Sequence, residues 1–265
     1  MTEQICRAGE RADRINEDLT LIRKVGGLTF GTDAYLLAAY MRRQSRARAV
    51  EFGTGTGVIP LLCASAGRFA HIDALELQPE FAELAVRNVA LNRLEDRISV
   101  HCADVREITA ETLGGEADVV FSNPPYMRTD SGKRNEWDGK YLARHEAAGG
   151  IADFCEAARR LLKHGGKFYC VWRPDRLSEL MSALAASGLE PKEMTFVHAD
   201  AQTPPSMLLL MAKKGGAHGL KITPPLLLHP TGGDTAGARP LTETAQKIYD
   251  TMSFDTPDEF RRVRS

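Results

Sequence analysis

The amino-acid sequence predicts an α/β fold in which seven mostly parallel strands form one sheet, with helices on both faces and an antiparallel edge strand. Apolar runs typical of strands alternate with segments whose apolar residues recur every three or four positions, which is typical of helices crossing over a parallel sheet. The chain has 265 residues, 43% of them hydrophobic, which is enough for one large core. The predicted strands are Ala47–Glu51, His71–Glu76, Arg97–His101, Asp118–Ser122, Gly166–Val171, Met194–His198 and Met207–Ala212.

Five helical patterns accompany these strands, and a sixth lies near the C-terminus. They cover Asp33–Gln44, Val58–Ala66, Pro79–Asn92, Asp153–Lys163, Arg176–Ser187 and Thr242–Thr251. The glycines in His164-Gly165-Gly166 and Ser187-Gly188 predict where two of these helices end. Residues 199–206, between the last two strands, are too few for a crossover helix, so these strands should pair antiparallel at one edge of the sheet.

Three parts follow from this pattern. Residues 1–46 form an N-terminal extension with a helix, residues 47–214 form the core, and residues 215–265 form a C-terminal extension. The last part is rich in Gly, Pro and Thr and lacks strand periodicity, so an extended strap ending in the sixth helix is expected.

Composition excludes several classes of protein. The formal net charge of -1 excludes a globally basic nucleic-acid coat. The five cysteines have no zinc or redox spacing, which predicts no metal site and a reducing compartment. No apolar run reaches the length of a membrane span, so we expect a soluble, cytoplasmic protein with no membrane partner, as a monomer or weak homodimer.

A glycine-rich turn follows the first predicted strand, in Glu51-Phe52-Gly53-Thr54-Gly55-Thr56-Gly57. Alternate glycines let the backbone approach a ligand closely. Glu76 ends the second strand, where a carboxylate accepts hydrogen bonds from both hydroxyls of a ribose. Because Val58 and Ile59 follow the turn, no Lys, Ser or Thr is there to bind a phosphate. A nucleoside without phosphates fits better, and S-adenosyl-L-methionine is the common one. The cofactor-binding candidates here are Glu51, Gly53, Thr54, Gly55, Gly57, Glu76 and Leu77.

Asp104 and Val105 follow the third predicted strand. The carboxylate of Asp104 is positioned to accept from the exocyclic amine of an adenine, and an ordinary surface aspartate is the alternative interpretation. The carboxyl ends of parallel strands meet at one edge of an open α/β sheet, where ligands bind. All these candidates therefore belong to one site.

The segment Asn123-Pro124-Pro125-Tyr126 comes directly after the predicted strand Asp118–Ser122. Two prolines cannot continue the hydrogen bonding of the sheet, so the chain leaves it as a rigid extended turn. The side-chain carbonyl of Asn123 and the backbone carbonyl of Pro124 then become neighbouring acceptors beside the flat ring of Tyr126. This predicts a catalytic site for a planar NH2 group, with a Pro-Pro loop and a buried tyrosine as the alternative.

Together with Phe30-Gly31-Thr32-Asp33 and Ala143-Arg144-His145-Glu146, these motifs resemble the class I S-adenosylmethionine-dependent methyltransferases with an NPPY motif. The chain is more closely similar to the bacterial tRNA1(Val) adenine-37 N6-methyltransferase family. The resemblance covers about residues 18–214 and implies a Rossmann-like methyltransferase sheet. It also implies that Phe30, Thr32 and Asp33 close over the methionine end of the cofactor, and helix capping by Thr32 or Asp33 is the structural alternative.

The resemblance implies N6-methylation of adenine in RNA, with tRNA as the expected partner, by direct methyl transfer to a flipped base. Two acceptors localise the nitrogen lone pair, so positioning supplies most of the rate and no strong base is needed. Stacking on Tyr126 returns about 1 to 3 kcal/mol of the cost of unstacking the base. The substrate-binding candidates are basic residues in the following loop, Arg128, Lys133, Arg134 and Arg144, although nearby acidic residues also fit a solvated loop.

Other functions stay open from the sequence. A glutamine N5-methyltransferase acting on a translation release factor also holds a planar NH2, and guanine N2 methylation uses the same chemistry. An inactive cofactor-binding or RNA-binding module is the non-enzymatic alternative. A DNA adenine methyltransferase is disfavoured, because the short interval between Gly57 and Asn123 leaves no room for a domain that reads a DNA sequence.

Overall fold

A computed structural model of the chain describes residues 5–26, 31–124, 149–232 and 239–254. The strands in these ranges are β1 (Glu10–Arg14), β2 (Thr20–Lys24), β3 (Gln44–Phe52), β4 (Phe69–Glu76), β5 (Ile98–Cys102), β6 (Ala117–Ser122), β7 (Leu162–Trp172), β8 (Leu189–His198), β9 (Pro205–Lys214), β10 (Lys221–Ile222) and β11 (Leu226–Leu227). The helices are α1 (Thr32–Tyr40), α2 (Val58–Ser65), α3 (Pro79–Leu91), α4 (Ile151–Leu161), α5 (Leu177–Ala186) and α6 (Glu243–Thr251).

The central sheet confirms the predicted fold class. Its strands run in the order β10-β8-β9-β7-β6-β3-β4-β5, and β11 also pairs with β8. Strands β3 to β7 pair in parallel with one another, and β9 pairs antiparallel with both β7 and β8. The seven predicted strands correspond to β3 through β9, and β10 and β11 add two residues each beside β8.

The position of the antiparallel strand differs from the prediction. Strand β9 does not lie at an edge, because it is inserted between β7 and β8. The short connection allows β8 and β9 to form a hairpin, but it does not determine which of the two docks on β7. Strand β9 places Leu208 and Leu210 beside Trp172 and Cys170 of β7, and all four side chains are buried. This apolar match buries β9 in the interior of the sheet.

Helices cover both faces of the sheet, as buried parallel strands require. On one face, residues of α1, α2, α3 and α6 pack in a cluster with Ala49, Phe121 and Tyr169. On the other face, α4 and α5 pack in a cluster with Phe52 and Phe168. Side chains alternate between the two clusters along β3 and β6, so the sheet forms the middle layer of a three-layer structure.

Helix α4 ends earlier than predicted. The sequence predicts a helix to Lys163 that stops at the glycine pair, whereas the helix ends at Leu161 and β7 starts at Leu162. Leu162 is extended and pairs with Ala117 of β6, and Gly165, at φ 80°, lies inside the strand where the register shifts. The pairing with β6 therefore overrides the local helical pattern.

The hairpin of β1 and β2 was not predicted from the sequence. Two asparagines, Asn88 in α3 and Asn92 directly after this helix, bind the edge of β2. Asn88 accepts from the N–H of Ile22 at 2.7 Å and donates to its carbonyl at 3.0 Å. Asn92 makes the same two bonds with Thr20, at 2.9 and 2.8 Å. Four helical residues advance about 6 Å and two strand residues advance about 7 Å, so the two amides match every second residue of β2.

The C-terminal part crosses back over the central sheet. It adds β10 and β11 to the edge at β8 and then forms α6, whose first turn is capped by Thr242 accepting from the N–H of Ala245 at 3.1 Å. Helix α6 packs on α1, where the rings of Tyr35 and Tyr249 stack with centroids 4.6 Å apart. The predicted C-terminal helix is present. Among the described helices, none is long and apolar enough to cross a membrane.

Candidate active site

The predicted site residues that lie in the described part of the chain meet at the carboxyl edge of the sheet. Strand β3 lies between β4 and β6, and Phe52, its last residue, pairs with Leu75 on one side and Ser122 on the other. The glycine turn, Glu76 and Asn123 therefore follow three adjacent strands. Ser122 strengthens this edge, since its buried hydroxyl donates to the carbonyl of Phe52 at 3.0 Å.

The glycine turn adopts backbone torsions that other residues rarely tolerate. Gly53, Gly55 and Gly57 have φ values of 67°, 56° and 84°, all in the left-handed region. A Cβ atom on Gly53 would have no neighbour within 4 Å, so open space lies beside this part of the turn. A Cβ on Gly57 would lie 3.4 Å from Cβ of Ala85, so this glycine lets the turn pack against α3.

Glu76 connects β4 to the glycine turn. Its side chain is fully buried, its Oε2 accepts from the N–H of Gly55 at 2.8 Å, and its Oε1 accepts from the N–H of Gln78 at 2.9 Å. Burial raises the pKa of Glu76, and the backbone hydrogen bonds from Gln78, Gly55 and Leu77 oppose that rise. Each carboxylate oxygen has a further lone pair, so Glu76 has the capacity to accept from two ribose hydroxyls as well.

Glu51 and Thr54 place unsatisfied polar atoms beside the turn. Within the described residues, Oε2 of Glu51 and Oγ1 of Thr54 are buried and have no hydrogen-bond partner. Burial raises the pKa of Glu51 to about 8; the nearby Thr54 hydroxyl lowers it and the charge of Glu76 raises it further. Buried polar groups are normally hydrogen-bonded. These orphaned atoms, with the open space beside Gly53, fit a ligand that carries donors, as S-adenosylmethionine does.

Asp104 lies after β5, but its carboxylate is already engaged. The N–H of Arg106 donates to Oδ1 of Asp104 at 2.9 Å, and the Arg106 guanidinium binds both carboxylate oxygens. The hydrogen bond from Arg106 is the largest cause of a lowered pKa of Asp104. Arg106 was not predicted as a partner of Asp104, although an aspartate side chain commonly accepts from the backbone N–H two residues on. An adenine amine reaching Asp104 has to share or displace this partner.

Val105 and Leu77 flank these carboxylates in the chain. Val105 is buried, and its carbonyl accepts from the Arg160 guanidinium of α4 at 2.8 Å. Leu77 follows Glu76 directly and is half-buried. The side chain of Val105 packs in the same cluster as Phe52 and Phe168, and contacts of Val105 and Leu77 with an adenine ring stay predictions.

Asp33 contacts Asn123 directly. Nδ2 of Asn123 donates to Oδ2 of Asp33 at 3.1 Å, which joins the first turn of α1 to the residue after β6. The helix-capping alternative is not observed, because Gly31 is the N-cap of α1 and no side chain caps it. Thr32 is the first residue of α1. Pro124 is buried directly after Asn123.

Several predicted residues lie outside the described part of the chain. They are Phe30, Pro125 and Tyr126, together with the basic residues Arg128, Lys133, Arg134 and Arg144. Their roles stay predictions.

Comparison with known proteins identifies the family. The sequence model of the methyltransferase small domain matches residues 28–186, more than half of the chain. The chain belongs to the methyltransferase small domain family. It is therefore an S-adenosylmethionine-dependent methyltransferase, and the glycine turn with its orphaned polar atoms fits that cofactor.

Two curated relatives of this methyltransferase carry the same name. It is 34% identical over 187 residues to a tRNA1(Val) (adenine(37)-N6)-methyltransferase of Phocaeicola vulgatus. The matched region covers 69% of this chain and 76% of the relative. It is 28% identical over 209 residues to the protein of the same name from Dyadobacter fermentans, with coverage of 78% and 85%.

A solved structure has the same fold. A protein of Agrobacterium tumefaciens, described as a predicted O-methyltransferase, superposes with a TM-score of 0.66 at 23% identity. The match covers 84% of this methyltransferase and 97% of that protein. The sheet and its helices therefore have the same fold as that protein.

Proposed function

We propose that this methyltransferase transfers a methyl group to N6 of an adenine in tRNA. The observation that carries the proposal is the position of Asn123 and Pro124 directly after β6, one strand from the glycine turn after β3. An acceptor pair placed there faces the part of the site that fits the cofactor. The names of the relatives from Phocaeicola vulgatus and Dyadobacter fermentans support adenine N6 and tRNA as the target.

The chemistry of an aromatic amine explains why these residue types are needed. The lone pair of the N6 nitrogen is delocalised into the adenine ring, which makes it a poor nucleophile. In our proposal, Oδ1 of Asn123 and the carbonyl of Pro124 each accept one N–H of the amine, which directs the lone pair out of the ring plane. S-adenosylmethionine supplies an electrophilic methyl group when bound. Orientation of this kind supplies up to about 7 to 11 kcal/mol of barrier reduction.

The proposed cofactor contacts follow the site geometry. Glu76 would accept from the ribose hydroxyls. Asp104 would accept from the adenine amine after exchange with Arg106. Glu51 and Thr54 would bind the donor groups at the methionine end. Phe30, Thr32 and Asp33 would close over that end. We further propose that Tyr126 stacks on a flipped base, that Arg128, Lys133, Arg134 and Arg144 contact RNA phosphates, and that residues 47–214 form the catalytic core.

The test is a methyl-transfer assay with purified protein, methyl-labelled S-adenosylmethionine and unmodified tRNA transcripts. Digestion to nucleosides should place the label in N6-methyladenosine. Label in N2-methylguanosine would instead indicate guanine methylation. Label found only in a release factor added to the reaction would indicate glutamine methylation. Asn123→Ala should remove transfer while leaving the Kd for S-adenosylhomocysteine nearly unchanged.

A further inference from the structure

The contact between Asp33 and Asn123 joins two elements that are far apart in the sequence. Asp33 is the second residue of α1, and Asn123 follows β6, 90 residues later. Nδ2 of Asn123 is 3.1 Å from Oδ2 of Asp33, within hydrogen-bond distance. The side-chain amide of Asn123 is therefore held from the α1 side of the site.

The chemistry of the two groups determines which end of the amide faces Asp33. An ionised carboxylate only accepts hydrogen bonds, whereas an asparagine side chain has a donating NH2 end and an accepting oxygen. If the amide were turned over, its oxygen would face the Asp33 carboxylate and two acceptors would meet. With the NH2 end on Asp33, Oδ1 points away from α1 as an acceptor.

We infer that Asp33 is a positioning residue that sets the orientation of the Asn123 amide, so that Oδ1 accepts from the substrate amine. This inference rests on the proposed function, because it gives Asn123 its acceptor role. The negative charge of Asp33 also pushes electron density through the N–H bond into the amide, which makes Oδ1 a better acceptor. Asp33 thus contributes to methyl transfer without touching the substrate nitrogen.

Gly31 provides a second observation for this role. Its φ of -107° is available to any residue, so its backbone does not require glycine. However, a Cβ atom at this position would lie 2.6 Å from Oδ1 of Asp33, which is too close for two non-bonded atoms. The absence of a side chain at Gly31 therefore leaves the space in which the Asp33 carboxylate lies.

Helix α1 is itself anchored on its other side. The hydroxyl of Tyr35 donates to the carbonyl of Tyr249 at 2.6 Å, and Arg68 donates to the carbonyls of Met41 and Met252. These contacts connect α1 to α6 and fix the position of its first turn. A carboxylate presented by an anchored helix is suited to hold a side chain in one orientation.

The kinetic test compares Asp33→Ala, Asp33→Asn and Gly31→Ala with the wild-type protein under saturating cofactor. Asp33→Ala should lower kcat by about 10²-fold at saturating cofactor, in addition to any rise in the Kd for S-adenosylhomocysteine that follows from the proposed place of Asp33 over the methionine end. Asp33→Asn should lose less, because its amide oxygen still accepts. Gly31→Ala should fall between wild type and Asp33→Ala, since it displaces the carboxylate without removing it.

The control is Glu95→Gln, which removes an exposed carboxylate in the loop before β5, at the opposite edge of the sheet. It should leave kcat and the cofactor Kd unchanged. A rise in the cofactor Kd with an unchanged kcat in Asp33→Ala would overturn the inference and leave Asp33 as a cofactor contact only.

A second readout does not depend on the substrate. In the cofactor-free protein labelled with nitrogen-15, the side-chain amide signal of Asn123 is assigned by its loss in Asn123→Ala. The hydrogen bond to Asp33 should make one of its two protons exchange slowly with water, and Asp33→Ala should remove that protection. Equal exchange in both proteins would disprove the positioning role, even if the methyl acceptor differs from the tRNA adenine proposed above.

Discussion

Gly55 donates its backbone N–H to Oε2 of Glu76 across 2.8 Å, which joins the glycine turn to the end of β4. The other oxygen of Glu76 accepts from the N–H of Gln78. Both oxygens are therefore fixed before any ligand binds. The carboxylate that we expect to hold the ribose is preorganised by the backbone on both sides.

Replacement of Glu76 by glutamine should disturb both stability and cofactor binding. An amide has one accepting oxygen, so its NH2 group would face one of the two backbone N–H donors. We expect the free energy of unfolding to fall by about 1 to 3 kcal/mol and the Kd for S-adenosylhomocysteine to rise at least tenfold. Urea denaturation and calorimetric titration measure the two effects. Glu83→Gln, on the exposed side of α3, should change neither, and equal behaviour of the two variants would contradict the role of Glu76.

Glu51 should make the stability of the cofactor-free protein depend on pH. Burial raises its pKa from 4.5 to about 8, so the folded state keeps a proton that the unfolded state releases in this interval. Stability contributed by this group is therefore lost as the pH rises from about 4.5 to 8. The side chain in Glu51→Gln stays neutral, so the unfolding free energy of this variant should change less with pH. Its stability relative to the wild type should be greatest at pH 8. Urea denaturation at pH 5, 6.5 and 8 tests this, and parallel profiles would show that Glu51 is ionised in the folded protein.

Removal of the Arg106 side chain should strengthen cofactor binding. Arg106 occupies the carboxylate that we expect to accept from the adenine amine, and the arginine side chain of this ion pair is exposed. Arg106→Ala should therefore lower the Kd for S-adenosylhomocysteine by about two- to fivefold. Asp104→Asn should raise the same Kd. Weaker binding in both variants would mean that Arg106 contacts the cofactor instead of competing with it.

The asparagines that bind β2 should contribute unequally to stability. Asn88 is fully buried and also donates to the carbonyl of Thr56 at 2.9 Å, whereas Asn92 is half-buried. Asn88→Ala leaves buried backbone groups unpaired and should cost about 3 kcal/mol or more, against about 1 kcal/mol for Asn92→Ala. Amide exchange at Ile22, measured with the unfolding free energies, should accelerate in Asn88→Ala. Protection of Ile22 in that variant would show that the hairpin docks without this residue.

Local patterns predict the central sheet because most of its strands are buried and bounded by turn residues. They fail where partners are distant in the sequence. Strand β1, Glu-Arg-Ala-Asp-Arg, has four charged residues and one alanine. Strand β2 is held by Asn88 and Asn92, which are 66 and 72 positions away from their partners. The start of β7 depends in the same way on Ala117, which local helical periodicity does not reveal.

The site could be predicted where its residues directly follow the ends of adjacent parallel strands. Because the glycine turn, Glu76 and Asn123 end adjacent parallel strands, the sequence analysis assigns them to one site. The hydrogen-bond partners of these residues could not be predicted from the sequence. Asp33 was expected at the cofactor, and its bond to Asn123 depends on where α1 docks on the sheet. Arg106 was missed because an exposed arginine leaves no hydrophobic pattern.

The packing of α6 on α1 affects the stage of protein synthesis at which the active site is complete. The glycine turn and Glu76 belong to the first third of the chain, whereas the helix that presents Asp33 is anchored by Tyr249 and Met252. A ribosome-bound chain can therefore complete the cofactor turn long before α1 gains its final support. Full activity is expected only after residue 252 has left the exit tunnel, well after the residues of the glycine turn and Glu76 have done so.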